Sequence, residues 1–207
     1  MRELLVFLAF MTIACRQLEP PPPPVWQEVE AGRVGEVNLD SGCAPGTDPD
    51  VDYFPAKLEF QHSAQLVVSY HGSYKVVSFT PAVDNKEVLR YALVQCGAPA
   101  PPGFPAARVI QVPVRRFTTA NHSILSAVTL LGVEDRLAGV TNRHNITEPT
   151  IRKLAIEQEI PEVGGGTHSN IELAMAVDPD VHFTFYSAYP EFNLHPKLWE
   201  VGVTAFP

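Results

Sequence analysis

The sequence predicts an α/β protein in which a parallel sheet with helices on both faces follows a small β-rich extension. Two patterns predict this fold. From residue 108 onward, short apolar strands alternate with amphipathic helical segments, an order that is typical of parallel sheets. Between residues 53 and 97, runs of β-branched and aromatic residues are separated by turn signals such as Gly72-Ser73, which is typical of antiparallel strands.

The extension contains several runs of strand-forming residues. Three of them cover 56–62, 65–71 and 74–80, and a fourth covers 90–95, just before Cys96. The runs on either side of Gly72-Ser73 are predicted to pair as a hairpin. A Pro- and Gly-rich linker over 98–107 is predicted to separate this extension from the α/β unit at 108–207.

The α/β unit is predicted from apolar periodicity and from residues that begin or end helices. Gly132 and Gly202 each follow an amphipathic segment and predict its end, while Pro149 suits a first helical turn. The predicted strands cover 109–115, 137–140, 161–163, 181–185 and 203–206. The predicted helices cover 122–131, 148–157, 170–177 and 196–201.

The N-terminal segment at 1–15 resembles an export signal rather than part of the fold. An unbroken apolar run at 4–14 is too short to span a bilayer as a helix, and it ends at Ala14-Cys15. Two readings stay open, namely lipidation of Cys15 as in a bacterial lipoprotein, or a plain secretory signal. Residues 16–52 are predicted to be a mostly irregular linker, since five consecutive prolines begin at Pro20 and favour an extended spacer.

The cysteines suit the same oxidising compartment. The chain has three, and if Cys15 is lipidated or removed with the signal, Cys43 and Cys96 remain as a pair. We therefore expect a Cys43–Cys96 disulfide, because an exported protein meets conditions that maintain such bonds.

Composition and missing motifs argue against two classes of function. The net charge of −8, with no basic stripe, argues against binding to nucleic acid. The sequence has no G-x-S-x-G elbow and no phosphate-binding G-x-x-x-x-G-K-[ST], and the run Gly164-Gly165-Gly166 does not match a dinucleotide fingerprint. A role in binding is therefore favoured over catalysis.

An ordered set of short motifs carries a family resemblance. The set begins with Pro-Val-Arg-Arg at 113–116 and Arg-Leu-Ala-Gly-Val at 136–140. It continues with Val-Gly-Gly at 163–165, Ser-Asn-Ile-Glu at 169–172 and Asp-Pro-Asp-Val at 178–181. In this order the segments resemble class III periplasmic binding proteins, the substrate-binding subunits of ABC importers. From residue 52 onward the chain resembles the extension and first lobe found in a subgroup of that family.

The resemblance implies two α/β lobes joined by one long helix, with the ligand held in the cleft between them. Only the first lobe is recognisable in this chain, whose sequence stops about where the linking helix is expected. The ligands implied are an iron–siderophore, haem or a cobalamin-like molecule, and the partners are the ABC permease subunits. No cofactor of its own is implied, and the membrane is contacted only through a lipid anchor.

Ligands of open α/β sheets bind beyond the carboxyl ends of the strands, in the loops that lead into helices. Arg143 lies in such a predicted loop, and its guanidinium is suited to a carboxylate or phosphate. Thr118 and Thr119 have an alternative role as helix caps. The predicted ligand-binding residues are Thr118, Thr119, His122, Arg143, His168 and Tyr186.

Glu172 has a role that the resemblance implies. In that family the acidic residue after Asn and an apolar residue lies at the top of the lobe and pairs with arginines of the permease. Glu172 also opens a predicted helix, where a carboxylate stabilises the helix dipole. Permease docking and dipole stabilisation both stay open at this point.

Three histidines support an alternative function. His122, His144 and His168 lie in separate predicted loops, from which they would have to converge to hold zinc or manganese. Such a site would indicate a metal-binding protein or a small secreted α/β enzyme with a metal-assisted reaction. The sequence has neither an H-x-H nor an H-E-x-x-H pattern, so we predict no metal site.

Overall fold

The computed structural model describes residues 35–44, 48, 50–82, 88–165 and 170–207. Within these residues the strands form two four-stranded sheets. The strands are β1 Leu66–His71, β2 Tyr74–Phe79, β3 Leu89–Gln95, β4 Val109–Val112, β5 Phe117–Thr119, β6 Leu137–Gly139, β7 Val181–Phe183 and β8 Ala205–Phe206. The helices are α1 Leu125–Leu131, α2 Pro149–Glu157, α3 Ile171–Val177 and α4 His195–Glu200.

The first sheet has the order β1-β2-β3-β4, and its first three strands are antiparallel. The predicted hairpin is confirmed, since His71 pairs with Tyr74 across the turn. Gly72 adopts a φ of 60° there, a conformation that glycine takes without steric cost. The run at 56–62 was also expected to form a strand, but it belongs to neither sheet. Strand-forming residues alone do not make a strand where no partner strand lies alongside.

Strand β4 belongs to the first sheet, which corrects the predicted start of the parallel sheet. It runs parallel to β3, from the pair Ala92–Val109 to the pair Gln95–Val112. It ends directly before Pro113, which has no N–H to donate to a neighbouring strand. The parallel sheet begins instead with β5, inside a stretch predicted to be a loop. A strand of three residues is too short to give an alternation signal.

The second sheet is the predicted parallel sheet. Its order is β6-β5-β7-β8, and each neighbouring pair is parallel. A single parallel bridge between Val140 and Glu162 extends the sheet beyond β6. The strand predicted at 161–163 is therefore one bridge, since Glu162 alone makes the pairing.

Two apolar clusters flank the parallel sheet. Leu125 of α1 and Ile151 of α2 belong to a cluster with Phe117 and Val181, and Tyr91 of the first sheet joins the same cluster. A second cluster contains Ala174 of α3, Leu198 of α4 and the strand residue Ala205. Because successive strand residues point to opposite faces, Phe117 and Thr118 face different clusters. The α/β architecture with a parallel sheet is confirmed.

Polar side chains fix the ends of these elements. Asn170 caps α3 by accepting a 2.9 Å hydrogen bond from the N–H of Leu173. At the other edge of the sheet, Oδ2 of Asp180 accepts the N–H of Arg115 at 2.7 Å and that of Arg116 at 3.0 Å. This carboxylate therefore ties the start of β5 to the start of β7. Among the described residues, no helix is both long enough and apolar enough to span a bilayer.

A disulfide joins Cys43 to Cys96 at the end of β3, which is the pairing that the sequence predicts. The two Cα atoms are 4.6 Å apart, and the N–H of Ala44 donates to the carbonyl of Cys96 at 3.1 Å. Gly97 follows with a φ of 94°, and a Cβ there would lie 2.6 Å from the Ala44 oxygen. A larger residue at 97 would therefore push the disulfide-linked segment away from the sheet.

Candidate functional site

Loops from neighbouring strands contact each other at the carboxyl edge of the parallel sheet. They follow β5, β6, the bridge residue Glu162, and β7. A Cβ at Gly165 would lie 2.5 Å from Cγ2 of Thr141 and 3.1 Å from the carbonyl oxygen of Ala120. Three of these loops are thus packed against one another, and only glycine fits at their meeting point. This edge is the candidate ligand surface.

Thr118 and Thr119 lie inside the protein and not on that surface. Both are fully buried in β5. The Thr118 hydroxyl is 2.6 Å from Nδ1 of His182 on the neighbouring strand. The Thr119 hydroxyl donates to the Asn121 carbonyl and accepts the Asn121 N–H. A direct ligand contact by either threonine, as the sequence predicts, is therefore not available in this arrangement.

His122 lies at the start of the helical segment that follows β5. It is half-buried, and its Nε2 atom is buried with no hydrogen-bond partner among the described residues. The cap of this segment is Asn121, whose side-chain oxygen accepts the N–H of Ser123 at 2.9 Å. The sequence prediction considered Thr118 and Thr119 as caps and missed Asn121, although asparagine is a favoured cap.

Arg143 is paired with Glu162, a residue that the sequence prediction did not select. The Arg143 N–H donates to Oε1 of Glu162 at 2.8 Å, and Nε lies 3.5 Å from the same oxygen. The backbone hydrogen bond from Arg143, aided by its charge, holds the pKa of Glu162 below its usual value. Glu162 was placed inside a predicted strand, so no sequence signal marked it as part of this edge.

Tyr186 follows β7, and its ring lies in a row of three aromatic rings with those of His195 and Trp199. Its ring stacks on that of His195 with centroids 5.6 Å apart, and His195 meets Trp199 edge-on at 4.8 Å. Burial, together with the nearby charge of Arg108, lowers the pKa of His195 to about 4. The histidine is therefore neutral at pH 7, and its uncharged ring supports that of Tyr186.

The loop after β7 also carries an aromatic pair that sequence reasoning missed. Tyr189 and Phe192 are exposed and meet edge-on, with centroids 6.2 Å apart. The loop is closed by two hydrogen bonds between Asn193 and Ser187, of 2.6 and 2.9 Å. The sequence signal for this pair is two aromatic residues close to Pro190, in a polar segment that is not expected to enter the core.

The candidate residues are spread along the edge instead of converging on one point. Arg143 follows β6 and Tyr186 follows β7, and these strands flank β5. Strands β6 and β7 are two strand spacings apart, which is about 10 Å. No cluster of three His, Cys, Asp or Glu residues with metal-binding geometry occurs among the described residues. His168 and Cys15 lie outside the described residues.

An exposed acidic residue and a cavity lie at opposite edges of the parallel sheet. Glu172 is exposed in the first turn of α3, and this helix begins at the same carboxyl edge as the candidate surface. A cavity of about 360 Å³ lies at the opposite edge, between β4 and the turns before β7 and β8. Its lining includes Gln111, Asp180 and Thr204, and it contains none of the predicted ligand residues.

Comparison with known proteins gives matches among solved structures alone. No protein family profile and no curated protein sequence matches the chain. One similar structure is a periplasmic heme binding protein from Pseudomonas aeruginosa, at 26% identity and a TM-score of 0.34 over 45% of this chain and 30% of that chain. Another is the periplasmic vitamin B12 binding protein BtuF of Vibrio cholerae, at 22% identity and a TM-score of 0.34 over 45% of this chain and 34% of that chain. This chain therefore spans about a third of the length of either periplasmic binding protein.

Proposed function

We propose that this chain is the ligand-capturing lobe of a substrate-binding subunit of an ABC importer. Its carboxyl-edge loops take a large organic ligand of the iron–siderophore, haem or cobalamin type. The observation that carries the proposal is the arrangement of the loops that carry the candidate side chains. Arg143 and Tyr186 follow strands two positions apart in the sheet, with the loop of His122 between them.

Ligand size follows from this spacing. A metal ion contacts its ligands at about 2.0–2.6 Å, and no group of three His, Cys, Asp or Glu side chains within the described part of the chain is close enough together to hold one. The loops after β6 and β7 instead follow strands about 10 Å apart. A macrocycle or a folded siderophore is wide enough to contact all three loops at once. A surface of mixed aromatic and polar side chains suits such ligands, because apolar area supplies affinity and a few polar groups fix orientation.

The proposal extends to the partners and the compartment. The Cys43–Cys96 disulfide supports export, since such bonds persist in oxidising compartments. A periplasmic or cell-surface location follows, with Cys15 as the lipid-anchor site. Exposed Glu172 lies at the edge that carries the ligand loops, and we assign it to docking on the permease subunits.

Amide chemical-shift mapping tests the ligand surface. The probes are gallium(III) protoporphyrin IX, cyanocobalamin and gallium ferrichrome, which are diamagnetic, with zinc chloride as a separate arm. We expect one of the organic probes to shift amides at 120–124, 141–145 and 184–192 and to leave the opposite edge at 178–180 and 201–204 unchanged.

Two histidine variants provide the matched comparison. His122→Ala is expected to weaken binding of that probe by about three- to tenfold, the effect of losing one contact of ~1 kcal/mol. His62→Ala, at an exposed position in the extension, is expected to leave binding unchanged. Zinc shifts confined to His122 and His144, with no organic probe bound, would support the metal-binding alternative instead.

A further inference from the structure

Arg143 contacts Glu162 through its backbone N–H and through Nε, and not through its terminal nitrogens Nη1 and Nη2. Glu162 accepts the backbone N–H of Arg143 at 2.8 Å and lies 3.5 Å from Nε, both through the same oxygen, Oε1. Among the residues that the structure describes, Nη1 and Nη2 have no partner. The Arg143 side chain is 30% exposed, so part of it is accessible to solvent.

The shorter of the two contacts shows what Glu162 does. The 2.8 Å bond to the backbone fixes the loop after β6, whereas the 3.5 Å approach to Nε is at the limit of a hydrogen bond. Glu162 itself is anchored by its parallel bridge to Val140. Glu162 thus fixes the loop that carries Arg143 and places a carboxylate beside its guanidinium, while Nη1 and Nη2 keep their donors available.

We infer that Arg143 is the group by which this edge recognises an acidic substituent, a carboxylate or a phosphate, on the ligand, and that Glu162 positions its guanidinium for this contact. This inference rests on the proposed function and names the ligand class within it. The paired Nη atoms match the two oxygens of a carboxylate or phosphate in a bidentate contact.

The negative net charge of the chain makes a local contact more important for binding an acidic ligand. At −8 the protein as a whole repels anions, so a ligand with acidic groups gains nothing from long-range attraction. A local, oriented pair of donors is the means by which an acidic ligand is bound at this edge. A ligand without an acidic group leaves the fork of Arg143 solvated and gains no advantage from it.

Pairs of probes that differ in their acidic group test the inference. Gallium protoporphyrin IX is compared with its dimethyl ester, which lacks free carboxylates, and cyanocobalamin is compared with dicyanocobinamide, which lacks the phosphodiester. Affinities are measured from amide shifts of the full 207-residue chain. We expect the wild type to prefer the acidic member of one pair by about tenfold, the value of a contact of ~1.4 kcal/mol. The pair that shows the preference identifies the acid as carboxylate or phosphate.

Substitutions test whether Arg143 causes the preference for the acidic probe. Arg143→Gln is expected to reduce it to about equal binding, and Arg143→Lys to an intermediate value, because lysine keeps the charge but loses the fork. Lys197→Gln, which removes an exposed cation on α4, is the matched control and keeps the full preference. Glu162→Gln is followed through the Arg143 Nε–H resonance, which we expect to broaden and to lose its distinct chemical shift as the guanidinium is released.

The outcomes separate this inference from the proposed function. Equal binding of the acidic and neutral probes at the carboxyl-edge loops would overturn the role of Arg143 and leave the proposed function standing. A preference that survives Arg143→Gln would overturn it as well. Binding of gallium ferrichrome alone, which has no acidic group, would overturn the inference and leave the proposed function standing. Binding of neither ferrichrome nor any of the four probes at these loops would contradict the proposed function, and the inference with it.

Discussion

The hydroxyl of Tyr91 on β3 donates a 2.8 Å hydrogen bond to the carbonyl oxygen of Ala205 on β8. The neighbouring carbonyls of Thr204 and Phe206 accept N–H groups from the β7 side, so the Ala205 carbonyl points away from the sheet. Nε1 of Trp199 donates to the same oxygen at 3.0 Å. The first sheet thereby covers part of the open edge of the parallel sheet, which would otherwise present an unpaired acceptor.

Tyr91→Phe is expected to lower the free energy of unfolding by about 1 kcal/mol, the usual net value of one hydrogen bond. The ring packing stays, and Trp199 still donates to the Ala205 carbonyl, so a larger loss is not expected. Urea unfolding measures the change. Tyr189→Phe, at an exposed position, is the matched control. Equal stability of Tyr91→Phe and the wild type would show that the bond contributes nothing to stability.

Removing the disulfide with the double substitution Cys43→Ser, Cys96→Ser is expected to cost about 3–4 kcal/mol in the chain-entropy account. The two cysteines are 53 residues apart, so the bond restricts a long loop in the unfolded chain. Urea unfolding with and without a reducing agent checks this. The reductant is expected to lower the stability of the wild type and leave the variant unchanged. Two freely alkylated thiols in the native protein would contradict the bond itself.

Stability is expected to fall as the pH drops from 6.5 towards 4. Burial lowers the pKa of His182 from 6.5 to about 4. The unfolded chain therefore binds a proton in this range that the folded chain does not, and the full stability is present above pH 6.5. The difference corresponds to ~3 kcal/mol for this one residue.

Urea midpoints at several pH values test the role of His182. His182→Gln is expected to flatten the decline between pH 6.5 and 4, whereas His62→Gln, at an exposed position, keeps it. Part of the decline remains in either variant, because the pKa of buried His195 is also lowered to about 4. A decline in His182→Gln as steep as in the wild type would show that this histidine is not its cause.

Glu172→Arg is expected to reduce uptake by the assembled importer without changing ligand affinity. The residue is exposed at the start of α3, so reversal of its charge would disturb the proposed docking contact and leave the core intact. Uptake and binding are measured separately in the full protein with its permease. Glu200→Arg, which changes an exposed acid at the C-terminal end of α4, is the control. Unchanged uptake in Glu172→Arg would leave dipole stabilisation as the role of this residue.

The isolated 207-residue chain is expected to bind its ligand weakly. Two-lobed binding proteins enclose the ligand, whereas here the fork of Arg143 faces water on an open surface, where charged contacts are screened. A ligand bound at about 1 μM by two lobes falls to about 1 mM when half the contact energy is lost. Calorimetric titration checks this, and sub-micromolar binding by the isolated chain would contradict it.

The longer helices were predictable because their local sequence indicates a helix without any information on tertiary contacts. Helices α1 and α2 have apolar residues at helical spacing, and a glycine at 132 ends the first of them. The hairpin around Gly72 was equally clear, since only glycine adopts its backbone conformation without strain. In these cases local sequence and tertiary structure favour the same conformation.

The strand near residue 110 was predicted, but its assignment to the parallel sheet was wrong because the choice of partner strand depends on tertiary packing. Val109–Val112 reads as a strand in any sheet, and its partner is decided by packing against β3. The same applies to the candidate site, where Thr118 looks like a loop hydroxyl but pairs with His182, 64 residues away. Glu162 was missed for a related reason, since its role depends on a loop contact with Arg143.

The parallel pairing of β4 with β3 restricts how the two units are inherited. An exchange of gene segments within 98–107 would leave the first sheet without its fourth strand and give the recombinant α/β unit a strand with no partner. We expect insertion into this connection to be tolerated more readily than replacement of either side, because added residues leave the β3–β4 pairing intact. We therefore expect the extension and the α/β unit to have diversified together as one evolutionary module.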